Sequence, residues 1–233
     1  MSRPDRAIHI DGLTRSFRVG SETVHAVRDV TLTIPEGRLT VIRGRSGSGK
    51  TTLLNLLGLL DRPSAGTLRY GQEDVLRMSD HERDRFRRSE IGFIYQTIAL
   101  VALMTAYENV DFRMRVAKAS FAEREERVRE CLHLVGLSER MTHRPFEMSG
   151  GEQQRVAIAR AIAHHPRVIY ADEPTAELDT VTGIHVVGIF RRLIVEQGIT
   201  VVMTTHDPAM MELADHVIEM ENGYVVEHAN GPV

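Results

Sequence analysis

The chain opens on alternation. Apolar and polar positions trade places through IHIDGL and again through VHAVRDVTLTI, a Pro35-Glu36-Gly37 turn follows, and RLTVIRG resumes the extended pattern. This opening predicts an N-terminal β-rich section. A glycine-rich GRSGSGKTT then gives way to LLNLLGLL, apolar on every side and stopped at Asp61-Arg62-Pro63, which predicts a buried helix ending just ahead of a proline. Residues 78–88 are so charged that they predict a solvated helix face with no chemistry of its own. Ser120-Phe121-Ala122-Glu123 has capping-box spacing, apolar positions 128, 131, 132 and 135 share a face behind it, and Gly136 is placed to end that helix. The stretch from about 97 to 150 is expected to be mainly helical. Beyond it QQRVAIARAIAHH predicts a helix, RVIYAD a short strand, the residues after it another helix, and ITVVMTT a strand; such alternation implies a parallel sheet. Asn222-Gly223, between two alternating runs, is the pattern of a tight hairpin.

Composition narrows the picture. With 233 residues and 42% apolar content the chain can bury a real core. No apolar run approaches the roughly 18–20 residues of a spanning helix, and MSRPDRAIHI is charged where a signal peptide is apolar, so a cytoplasmic location is expected. A net charge of −3 without any polybasic block argues against nucleic acid as a partner. The single cysteine, Cys131, shares its helical face with Val128, Leu132 and Val135 and reads as a small core residue. His164 and His165 do not read as metal ligands, because adjacent helical residues point about 100° apart; His25, His143 and His185 carry no signal. Among 29 basic residues only Lys50 and Lys118 are lysine. A chain so biased to arginine keeps a compact ammonium at Lys50, where a guanidinium fork would not fit a tight phosphate loop.

That loop, Gly44-Arg45-Ser46-Gly47-Ser48-Gly49-Lys50-Thr51 with Thr52 behind it, fits G-x-x-x-x-G-K-[ST] between a predicted strand and a predicted helix. Glycines let backbone N–H groups turn onto phosphates, the helix N-terminus adds positive potential, Lys50 reaches the β- and γ-phosphates, and the Thr51 hydroxyl suits Mg²⁺. The strand Val168-Ile169-Tyr170-Ala171 ends in Asp172 and Glu173, whose side chains should diverge. Asp172 suits the surroundings of Mg²⁺, and Glu173 suits a general base for the attacking water.

Met148-Ser149-Gly150-Gly151-Glu152-Gln153-Gln154-Arg155 resembles the signature motif of the ATP-binding-cassette (ABC) ATPases, and it stands directly before a helix. The resemblance covers about residues 7 to 227. It implies an α/β P-loop NTPase: a RecA-like parallel-sheet core (7–96 and 153–227) with an N-terminal antiparallel β section and an inserted α-helical subdomain (about 97–152). It implies a head-to-tail dimer around two Mg·ATP, in which Ser149, Gly150, Gly151 and Glu152 of one copy meet the γ-phosphate held by the other. It further implies that Gln96 is the Q-loop glutamine near Mg²⁺, His206 the switch histidine, Ala176-Glu177-Leu178-Asp179 the D-loop, and Phe17 the ring that stacks on adenine. Met148 replaces the family's leucine, a swap of similar volume. Glu152 stands where glutamine is commoner, and its carboxylate near phosphate is expected to weaken ATP affinity modestly. The run Thr97 to Met104 is more apolar than usual, which fits either a partner contact or core packing.

The segments GSETVHAVRDVTLTIPEG, LLGLLDRPSAG, HRPFEMSGGEQQRVAIARA and YADEPTAELD are most similar to the subfamily of lipoprotein release, macrolide export and antimicrobial-peptide resistance. This implies an ATPase subunit driving a separate membrane permease from the cytoplasmic face. The alternatives are a regulatory ATPase transmitting force to a non-transporting membrane protein, and a soluble ABC protein acting on nucleic acid, which usually carries paired cassettes, zinc insertions or coiled-coil arms not found here.

Overall fold

The computed structural model describes residues 6–176 and 178–230. β1 (Ile8–Val19) and β2 (Glu22–Ile34) form the predicted antiparallel pair. β3 (Leu39–Arg43), although it follows directly after the turn, leaves them for a second sheet. β4 (Ala65–Tyr70) and β5 (Glu73–Asp74) complete the first sheet in the order β2-β1-β4-β5. The second sheet adds β6 (Ile91–Ile94), β7 (Val168–Ala171), β8 (Thr200–Thr204), β9 (His216–Glu221) and β10 (Tyr224–Asn230) in the order β10-β9-β3-β8-β7-β6. It is parallel throughout except for the β9–β10 hairpin, which turns through Asn222 and Gly223, both at positive φ.

Both faces of this sheet are covered, and the period of two sorts its residues. Leu39, Val41, Ile169, Ala171, Val201 and Met203 face one core, while Ile42, Val168, Tyr170 and Val202 face the other. That double burial is why the sequence of β7 and β8 reads as unbroken apolar runs. α1 (Lys50–Leu57) fills the core shared with the first sheet, with Leu53, Leu54, Leu56 and Leu57 fully buried. It stops a turn before the proline signal. Leu59 takes a left-handed backbone (φ 57°), and the N–H groups of Leu60 and Asp61 fold back onto the Asn55 carbonyl.

α2 (Asp80–Glu90) is the charged run, capped by Ser79 and Glu82, but it is not simply solvated. Arg83 and Phe86 are buried, and the guanidinium groups of Arg83 and Arg87 donate to the Leu59 carbonyl, Arg83 also to that of Asp61. Charged residues here tie off the end of α1. The expected helical stretch resolves into α3 (Ala106–Val116), α4 (Phe121–Leu134) and the start of α5 (Gly150–Ile162). Residues 97–105 are not helical, and between α4 and α5 only two short 3₁₀ turns form, Ser138–Arg140 and Pro145–Glu147. α3, α4 and α5 pack on one another, with Cys131, Val128, Leu132 and Val135 fully buried among them; burial pushes the Cys131 thiol up to about 12. α6 (Thr180–Gln197) covers β3 and β8.

His164 lies just past α5, and its Nε2–H donates to the Ile91 carbonyl at 3.0 Å. Burial, aided by the Arg113 charge, depresses it from 6.5 to about 3. An unfolded chain would take up that proton below 6.5, so stability held above 6.5 drains away as pH falls toward the folded value, by up to about 1.4 kcal/mol per pH unit. His164→Gln is expected to flatten the acid limb of stability measured by urea denaturation across pH. A limb of unchanged slope would remove His164 as its source.

Candidate functional site

The loop after β3 is shaped by what lies beneath it. A Cβ on Gly44 would sit 2.3 Å from the Met220 carbonyl oxygen, and one on Gly49 would sit 2.1 Å from that of Ala26, with backbone φ of 150° and 104°. The loop is thus pressed onto β2 and β9, and only glycine fits. The Ser48 carbonyl accepts from Gly223 N–H at 3.0 Å, which ties the loop to the β9–β10 turn. Lys50, the buried first residue of α1, turns its Nζ back to the carbonyls of Gly44 (2.8 Å) and Arg45 (3.1 Å). Ser48 Oγ is buried with no hydrogen-bond partner. A glycine loop with an ammonium turned into it and a spare hydroxyl at a helix N-terminus is a cradle for phosphate oxygens.

At the neighbouring strand ends the acidic pair is held by β8. Thr204 Oγ1 donates to Asp172 Oδ1 at 2.7 Å and accepts from Glu173 N–H at 2.8 Å, so one hydroxyl ties the Asp172 carboxylate to the Glu173 backbone. Asp172 is buried, while Glu173 takes a left-handed backbone, φ 46°, uncommon for any residue but glycine. His206, two residues beyond Thr204, places Nδ1 2.8 Å from Glu173 Oε2.

Arg45, Ser46, Gly47, Lys50, Thr51 and Thr52 line a single cleft of about 560 Å³ together with Gly44, Gly49, Gln96, Glu173 and His206. Val24, His25 and Ala26 from β2 complete its wall. Nothing in the sequence singled these three out, because β2 reaches the cleft by tertiary contacts, with Ala26 against the glycine loop and the Arg28 N–H on the Gly223 carbonyl. Phe17 is not in the lining: it lies opposite Val24 in that pairing, half-buried, with the Arg15 guanidinium 4.4 Å over its ring and Arg15 itself held by Asp61 at 2.7 Å. Asp172 and Ser48 lie behind the lining.

Ser149, Gly150, Gly151 and Glu152 are not brought into this cleft either. Ser149 caps α5, and its Oγ accepts from Glu152 N–H at 3.3 Å. The Glu152 carboxylate has two partners: Oε2 accepts from Ser149 N–H at 2.8 Å, and Oε1 pairs with Arg140 Nε at 3.0 Å. The Ser149 amide, with Arg140 adding to it, holds this carboxyl below the usual range. A Cβ on Gly150, the first residue of α5, would meet nothing within 4 Å. Within this chain, nothing calls for a glycine there. Of the D-loop, Asp179 caps α6 through its bond to Thr182 N–H; Glu177 lies outside the described residues.

A second cleft, of about 580 Å³, opens between β6, α2 and α3, with Leu60, Phe93, Tyr95, Ala99, Phe112 and Val116 in its walls. Next to it the apolar run of residues 97–104 contains no fully buried residue, and Leu103 is 83% exposed. Within the run Leu100 packs against the core, while Val101 and Leu103 stay exposed.

A parallel sheet whose strand ends carry a phosphate cradle, an inward lysine and a fixed acidic pair defines a P-loop nucleoside triphosphatase. The ABC transporter family profile matches residues 27–176. ABC transporter ATP-binding protein MJ1508 of Methanocaldococcus jannaschii is 42% identical over 223 residues, 96% of this chain and 99% of that protein. Macrolide export ATP-binding/permease protein MacB of Azoarcus sp. is 43% identical over 219 residues, which is 94% of this chain but only 33% of MacB. Among solved structures, the ATP-binding cassette MJ0796 in a dimeric post-hydrolysis state bound to ADP and Pi superimposes with a TM-score of 0.90 at 36% identity, over 97% of this chain and 99% of that one. The chain belongs to the ABC transporter family, as a cassette that binds and hydrolyses ATP.

Proposed function

We propose that this cassette works as a head-to-tail dimer that encloses two Mg·ATP and drives a separate membrane permease from the cytoplasmic face. The observation that carries the reading is the split between two half-sites: the phosphate cradle gathers Gln96, Glu173 and His206 around one cleft, while the capped N-terminus of α5, with Gly150 facing open space, lies outside it. A second copy supplies the missing half. Its Ser149, Gly150 and Gly151 then approach the γ-phosphate, and a helix N-terminus is suited to that charge.

In this reading the amides of Gly44 to Gly49 and Lys50 hold the phosphates, and adenine packs against Val24 and His25 with Phe17 beside them. Thr51 and Gln96, two oxygen donors on the same cleft, would hold Mg²⁺ with Asp172 behind them, a hard-ligand set that suits this ion. When bound, Mg²⁺ neutralises charge on the β- and γ-phosphates. Glu173 accepts a proton from the attacking water, and His206 orients the Glu173 carboxylate and contacts the γ-phosphate. The second cleft, where aromatic walls meet Arg87, Arg88, Arg113 and Arg160, is the surface on which a permease would sit, and the exposed residues Val101 and Leu103 extend it. Among the described residues no helix is long and apolar enough to cross a membrane. The MacB match occupies one third of a protein named for both ATP-binding and permease activity, which supports a membrane permease as the partner of this cassette.

Purification of the Glu173→Gln variant with Mg·ATP from detergent-solubilised membranes of its own cells, followed by mass spectrometry, tests the partner. A stoichiometric membrane protein is expected, and its sequence separates a transporter from a force transmitter. Recovery of soluble partners alone would end the permease reading.

A further inference from the structure

A carboxylate in the first turn of α5 is an awkward neighbour for a phosphate. Glu152 is there because the capping box requires an acceptor three residues after Ser149, and its Oε2 fulfils that by taking the Ser149 N–H at 2.8 Å. The same bond prevents the carboxylate from swinging aside, and the glutamate side chain is only 20% exposed. A full negative charge would thus stand at the helix end whose positive potential the γ-phosphate needs. Arg140, twelve residues earlier in the 3₁₀ turn Ser138–Arg140, answers it. Its Nε donates to Glu152 Oε1 at 3.0 Å, and its Nη1 lies 3.2 Å from His143 Nε2, so the guanidinium is anchored on both sides.

We propose that Arg140 is a positioning residue for the signature segment, holding the Glu152 carboxylate in its capping role and cancelling its charge so that the α5 N-terminus stays attractive to the γ-phosphate of ATP bound by a second copy. The proposal rests on the head-to-tail reading above. Its energetic content differs from that of an ordinary surface ion pair. Such pairs add little to folding stability. Here the consequence falls on a third charge, the phosphate, and on ATP-driven association rather than on the fold.

The charges predict effects of opposite sign. Arg140→Met leaves Glu152 ionised and uncompensated, and the ATP concentration for half-maximal dimerisation should rise by about three- to tenfold, less at high salt. Glu152→Gln keeps an acceptor for the Ser149 amide and leaves Arg140 unpaired beside the phosphate, so half-saturation should fall. The Arg140→Met/Glu152→Gln pair should return close to the parent, and Arg140→Lys should lie between parent and Arg140→Met.

The measurement is light scattering against ATP concentration in the Glu173→Gln background, so that turnover does not intervene, with Gly150→Asp as a fifth variant. A shift in Arg140→Met that Glu152→Gln cancels supports the proposal. No shift, or a defect that persists in the double variant as a folding defect would, overturns it. Gly150→Asp separates the two levels of inference: its Cβ has free space in the monomer, so undiminished ATP-driven association there would overturn the head-to-tail reading itself.

Discussion

Glu173→Gln is expected to lower steady-state ATP hydrolysis by about a hundredfold to ten-thousandfold while leaving ATP binding in place. The substitution conserves shape and keeps an oxygen that can accept from His206, but it removes the group able to take a proton from water. Glu173 N–H stays on Thr204 Oγ1, because that bond belongs to the backbone, so Asp172 and the strand-end geometry should be undisturbed. Phosphate release at the parent rate would take Glu173 out of the reaction. Loss of both hydrolysis and nucleotide binding would point instead to a structural role for the carboxylate.

Lys50→Ala should act on the other half of the event. The Lys50 ammonium braces the Gly44 and Arg45 carbonyls, and in the proposed complex it exchanges these for phosphate oxygens. Hydrogen bonds to charged groups contribute about 1.5–3 kcal/mol, so ATP affinity measured by titration calorimetry should fall about ten- to a hundredfold. Lys50→Arg should not restore it, since the wider fork must enter a loop that Met220 and Ala26 leave no room to widen. Parent-like affinity in either variant would mean that the glycine-loop amides hold the phosphates without this side chain.

What the sequence discloses here is short-range. The phosphate loop, the acidic strand end, the Asn222-Gly223 turn and the Ser120 cap are each written in a few adjacent residues, and each stands where the spacing puts it. What stayed hidden depends on residues brought together across the chain. Thr204 couples Asp172 and Glu173 from 32 and 31 residues away, His25 and Val24 enter the cleft from β2, and Arg140 pairs with Glu152 from a separate turn. The charged run at 78–88 forms the expected helix with an exposed face, and only its inward contacts were hidden: Arg83 and Arg87 bind carbonyls of the α1 end. The sheet to which β3 belongs was equally out of reach, because alternation records that a strand has two faces and not which strand lies beside it.

The left-handed backbone of Glu173 places chemistry and folding at odds on one residue. Glycine would occupy φ 46° at less conformational strain, by about 1 kcal/mol or more, and it would cost the protein its proposed base. A hunt for heat-resistant variants that scored only solubility would be drawn to glycine at 173 and, on the role proposed for Glu173, would return a sturdier cassette that binds nucleotide without turning it over. The position marks how much firmness this protein forgoes in order to be a machine.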